Sequence, residues 1–145
     1  MATEALENLV LDVLLTRAQA VTGGATYNTN PAVKAADLPL DALPQGPGQA
    51  IYVTWARTEA FEAGGGPHHR YSAFFHLFCV ADTKRQALNV ADDMRLSVHL
   101  GEGAIGAIAK YGIYDSVLSP TQEIQQRIGR PTVVVQVRAD FELSH

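Results

Sequence analysis

Residues Pro131–Leu143 read PTVVVQVRADFEL, and their alternation decides the fold. Val133, Val135, Val137, Ala139, Phe141 and Leu143 fall on one face, and Thr132, Val134, Gln136, Arg138, Asp140 and Glu142 on the other. A period of two predicts a β-strand with one dry face and one mostly polar face. Burying its large apolar side chains at about 1.5–3 kcal/mol each yields a gross gain on the order of 10 kcal/mol, comparable to a domain's whole net stability. A slip of one residue would turn that face into water, so the register is specified. Pro131 lacks an N–H for the ladder and belongs at the strand's first position.

The partners of this strand lie upstream. Arg70–Val80, RYSAFFHLFCV, carries Tyr71, Ala73, Phe75, Leu77 and Cys79 on one face, with Phe74, His76, Phe78 and Val80 opposite. Both faces are largely apolar, which predicts a central strand covered on two sides, by its own helices or by another subunit. Ile51–Thr58, IYVTWART, reads as a strand, and the turn-forming residues between the two make a hairpin with a long tip at 59–70. After the hairpin, Asp82 or Thr83 caps a helix, with Gln86 placed to close a capping box on Thr83. Ala87, Val90, Ala91, Met94 and Val98 form its stripe and Gly101 ends it, so this helix crosses the sheet.

At the other end, Thr3 is placed to cap a helix reaching about Ala20, with Leu6, Leu9, Val10, Val13 and Leu14 as its apolar stripe and Gly23 and Gly24 as its stop. That stripe is expected to pack on the sheet of its own subunit. Residues 22–50 then carry four prolines and no sustained period, which predicts a long irregular arm. Tyr27, Val33, Leu38, Leu40 and Leu43 recur through it as apolar anchors, a pattern suited to lying along a neighbouring surface. Gly101–Gly112, GEGAIGAIAKYG, has the composition of a short helix, Tyr111–Leu118 that of a strand, and Gln122–Ile128 that of a helical turn before Gly129. The whole predicts one α+β domain over 1–145. It consists of a mainly antiparallel sheet of about four strands, an N-terminal helix, a crossing helix and the long arm.

Composition narrows the function classes. The chain has 145 residues, 11 basic and 15 acidic, for a formal net charge of −4, and no Lys/Arg cluster. Such a surface disfavours nucleic-acid binding. No run approaches the roughly 20 apolar residues of a membrane span. The acidic N-terminus lacks the basic start of a secretory signal. The single cysteine, Cys79, sits in an apolar run and reads as a buried, reduced thiol of an intracellular protein.

Motifs for chemistry are weak. Gly101-Glu102-Gly103-Ala104-Ile105-Gly106 satisfies the dinucleotide pattern G-x-G-x-x-G, yet it follows a helix instead of a strand, and Glu102 would face the phosphate. His68 and His69 in the hairpin tip could ligate a metal together, but no third ligand stands at a familiar spacing. His76 on an apolar strand reads as a core or interface histidine, and Asp92 and Asp93 diverge on a helix surface. These readings predict no enzyme, no cofactor and no resident metal.

In order and length, the elements LENLVLDVLL, QAIYVTWARTE, RYSAFFHLFCVADTKRQALNVADDM and PTVVVQVRADFEL resemble the tail terminator proteins of long-tailed bacteriophages. The likeness spans most of the chain, as a pattern of elements, and the 22–50 arm is longer than the family's. It implies a virion subunit at the head-proximal end of the tail, assembled in the host cytoplasm. The subunit would form a ring with itself, usually six-fold, that caps the tail tube and meets the head-side connector or neck protein while DNA passes through. Within that frame the expected contact residues are Tyr27, Val33, Leu38, Leu40 and Leu43 of the arm and Gly64, Gly65, Gly66, His68, His69 and Arg70 of the hairpin tip. A head-closure or neck protein of the same stack is the nearest alternative. From another class comes a small intracellular ligand-binding or enzymatic α+β domain using the Gly101–Gly106 loop or His68/His69.

Overall fold

A computed structural model describes residues 4–22, 31–36, 48–62 and 68–144. Its centre is a sheet built from β1 (Ala32–Ala35), β2 (Ala50–Glu62), β3 (His68–Val80), β4 (Gly112–Leu118) and β5 (Thr132–Ser144). The spatial order is β1-β2-β3-β5-β4. β1 runs parallel to β2, and every other pairing is antiparallel. The chain is therefore an α+β protein with a mainly antiparallel sheet, as its sequence predicts. It has one strand more than expected, because Ala32–Ala35 of the supposedly irregular arm pairs with β2.

β5 lies between β3 and β4. Its register on β3 runs without a shift from His68 opposite Ser144 to Val80 opposite Thr132. Val133, Val135, Val137, Ala139 and Phe141 all lie in one core, joined there by Ile51, Val53, Phe75 and Leu77 of the neighbouring strands. The second face of β5 is drier than its alternation suggests, since Thr132, Val134 and Asp140 are buried as well.

Helices α1 (Leu6–Gln19), α2 (Lys84–Leu100) and α3 (Glu102–Gly106) cover the core face, and α4 (Gln122–Ile128) packs on the other. In α2 the expected stripe Ala87, Val90, Ala91, Met94 and Val98 is buried, and the Thr83 hydroxyl accepts from the Gln86 N–H at 3.2 Å. The reciprocal half of the capping box is missing, because the Gln86 Oε1 is buried without a partner among the described residues. Gly101 ends α2 in a close approach: a Cβ there would stand 2.5 Å from the Arg17 Cδ. α4 is capped by the Thr121 hydroxyl and closed by Gly129 at φ 68°, a left-handed C-terminus suited to glycine.

Other expectations shift by a few residues. α1 begins at Leu6 behind Ala5, which makes no side-chain cap, and it ends at Gln19 with Ala20 as its C-cap; Thr3, Gly23 and Gly24 lie outside the described residues. Its buried positions are Val10, Leu14 and Ala18, while Leu9 turns outward. The helix does pack on its own subunit's sheet, as expected. The hairpin tip is narrower than 59–70, because β2 continues to Glu62 and β3 starts at His68, with Ala60 opposite Tyr71 and Glu62 opposite Arg70.

Candidate functional site

The registers define rows of side chains across the sheet face that α1 and α2 do not cover. One row reads Tyr52, Phe78, Val134, Leu118; the next Thr54, His76, Gln136, Ser116; the next Arg57, Phe74, Arg138, Tyr114. α4 shields the first row from one side, with Ile128 and Ile124 packing on Tyr52, Phe78 and Val134. The third row lies open.

A bulge builds that row. The register shifts between Trp55 and Arg57, so Ala56 is the extra residue and Arg57 stands opposite Phe74. The Arg57 guanidinium lies 4.0 Å from the Phe74 ring centroid, and that of Arg138 lies 4.2 Å from the centroid of Tyr114. Each stack adds on the order of 0.5–1 kcal/mol at a partly exposed site and holds a long side chain flat on the sheet. Arg57 pairs with Glu59 at 2.8 Å and Arg138 with Asp140 at 3.0 Å. Asp140 is itself buried and accepts from the Ser72 hydroxyl at 2.6 Å. The result is a rigid lattice of alternating ring and guanidinium with Tyr114 half exposed at its rim.

In the middle row the His76 Nε2 donates to the Gln136 Oε1 at 3.1 Å, and the imidazole meets the Phe78 ring edge-on. Burial pulls the His76 pKa below its ordinary value, and the Arg57 charge adds to this against the opposing Gln136 bond. Beside it, an apolar groove of about 410 Å³ opens between the sheet and the segment leading into α4, lined by Phe78, Val134, Leu118, Pro120 and Ile124.

Tyr, Phe and Arg in well-packed, partly exposed positions are the side chains that protein interfaces favour. Among the described residues this face offers no nucleophile hydrogen-bonded to a histidine, since His76 pairs with Gln136. Cys79, the one thiol, is fully buried, and burial pushes its pKa far up, so it carries no thiolate. Among the described residues no group of three or more His, Cys, Asp or Glu could hold a metal ion. His99 is on the helix layer and approaches Asp115 of β4 at 3.2 Å, next to the Arg95 Nε at 2.6 Å. Burial raises the Asp115 pKa, but its bonds and charge contacts with Arg95 and His99 outweigh that and leave it below the ordinary value. This cluster fastens the edge strand to α2.

The expected contact residues are scattered. Val33 lies in β1, half-buried against its own core. His68, His69 and Arg70 begin β3, where Arg70 stacks on Tyr111 at 4.3 Å. Tyr27, Leu38, Leu40, Leu43, Gly64, Gly65 and Gly66 lie outside the described residues. Gly101 is the junction between α2 and α3, and Glu102–Gly106 is α3 itself; neither Gly103 nor Gly106 has any neighbouring atom within 4 Å of a would-be Cβ, so no backbone approach at these two positions requires glycine. What sequence reading missed is the open row: Arg57, Phe74, Arg138 and Tyr114 come from four strands. The signal available was the apolar second face of β3. No family model and no curated protein matches the chain.

Proposed function

We propose that the chain is a structural virion subunit of the tail-terminator type. It assembles with itself into a ring, usually six-fold in the family it resembles; the ring caps the tail tube, meets the head-side connector and lets DNA pass. The observation that carries this reading is the open sheet face, where Arg57, Phe74, Arg138 and Tyr114 form a preorganised row suited to a protein partner. A formal net charge of −4 is compatible with a channel wall that a polyanion passes without being held. The arm anchors Leu38, Leu40 and Leu43 supply a second candidate contact from the sequence alone.

Light scattering on a size-exclusion column, with negative-stain images of the same fractions, tests the reading. A ring with an open centre, formed by the protein alone or on addition of tail tubes, is the expected result. Replacing Leu38, Leu40 and Leu43 together with Ser leaves the melting transition in place and weakens assembly. A monomer at every concentration that also ignores tail tubes refutes the proposal. A saturable thermal shift with zinc or a nucleotide would support the small-ligand alternative instead.

A further inference from the structure

The open sheet face has a counterpart on the opposite side of the subunit. Leu88, Asp92, Leu96 and Leu100 follow at intervals of four along α2 and so form one continuous ridge. The stripe from Ala87 to Val98 faces the core, whereas Leu88, Leu96 and Leu100 are 48%, 60% and 71% exposed. Single exposed leucines need no explanation, but an aligned set on one ridge is an apolar patch.

We propose that the α2 ridge of one copy seats on the open sheet face of the next, an inference that rests on the reading that the chain assembles with itself. Charge supports the pairing. The ridge presents Asp92, exposed, between leucines. The sheet face presents guanidiniums: the Arg138 side chain is 40% exposed while its partner Asp140 is only 5% exposed, so the pair shows its positive end outward. At the other end of the row the Arg57 side chain is 48% exposed and its partner Glu59 57%, so that pair shows both charges and the outward positive charge is concentrated at Arg138. Dimensions agree too. The twelve rises from Leu88 to Leu100 make a ridge about 18 Å long, and three strand spacings make a row about 14 Å wide.

The placement of the patches dictates the kind of assembly. They lie on opposite layers, α2 over the core face and the row on the other, so the contact is heterologous and repeats from copy to copy. Repetition closes into a ring or runs on as a filament, whereas a contact of one patch with itself would stop at a dimer. Single-stranded nucleic acid is the competing occupant of an aromatic sheet face, because bases stack on exposed rings. Here the two rings in question already carry a guanidinium on one face, and the chain as a whole has a formal net charge of −4, which disfavours a polyanion.

Two double variants test the pairing: Leu96→Glu with Leu100→Glu on the ridge, and Arg57→Glu with Tyr114→Glu on the face. Each retains a cooperative melt and runs as a monomer. Mixed in equal amounts they form a two-subunit complex and nothing larger, since one intact ridge meets one intact face and no third copy can add. A third variant, Leu100→Cys with Tyr114→Cys, gives a ladder of multimers with a bifunctional maleimide, the buried Cys79 staying silent. A wild type that never assembles overturns the ring reading and this inference with it. A wild type that forms rings while the ridge variant also forms rings, or a ladder that stops at the monomer, overturns this pairing alone. Binding of a labelled oligothymidylate that is lost in the Arg57/Tyr114 variant would overturn it in favour of nucleic acid.

Discussion

Replacing Val135 by Asp tests the centre of the fold. Val135 is fully buried, opposite Leu77 on β3 and Val117 on β4. Loss of its apolar burial alone costs about 1.5–3 kcal/mol. The new carboxylate adds a penalty of several kcal/mol, because it enters the core among Leu77, Phe75, Val133 and Val137 with no donor to meet it. The total, on the order of 5 kcal/mol or more, approaches the whole stability of an ordinary domain of about 5–15 kcal/mol. Urea unfolding followed by circular dichroism should find the variant largely unfolded in buffer. The neighbouring Gln136→Lys lies on the opposite face, loses the bond to His76 and should cost only about 1 kcal/mol. If Val135→Asp shifts the midpoint no more than Gln136→Lys, the assignment of the two faces of β5 is wrong.

Acid titration should carry two signatures. Asp115 has a folded pKa below its unfolded value near ~3.9, so its contribution is present above that pH and is lost as pH falls through the folded value; Asp115→Asn should flatten this part of the stability curve. His76 likewise has a depressed folded pKa, so stability declines as pH drops below about 6.5, where the unfolded chain takes up the proton first; His76→Gln should remove that slope. Gly101→Ala must displace the Arg17 side chain, whose Nε donates to the Ser97 carbonyl at 2.9 Å, and should cost about 1–2 kcal/mol by thermal melting. Gly103→Ala meets open space within α3 and should stabilise by roughly 0.5–1 kcal/mol; a loss there would mean that the glycine serves a purpose beyond helix geometry.

Local chemistry made several elements legible from residues alone. The alternation of Val133–Phe141, the stripe of α2 with its Thr83 cap, and the Gly129 end of α4 each depend on neighbours within a few positions. A strand's period, a hydroxyl three residues from an N–H and a glycine at positive φ are written in the chain itself. β1 was invisible by the same logic: Ala32–Ala35 is a four-residue run with a single large apolar side chain, Val33, too short to display a period of two. Its pairing with β2 is held by backbone bonds such as Ala32 N–H to the Gln49 carbonyl and Ala36 N–H to the Val53 carbonyl. The open face was equally hidden. Arg138 reads as one polar position of an alternating strand. Only the long-range register sets it between Phe74 and Tyr114, and only the seating of α4 at one end leaves that row uncovered. Alternation determines which side chains share a face, but what covers the face depends on packing between segments distant in sequence, and that the tertiary structure alone decides.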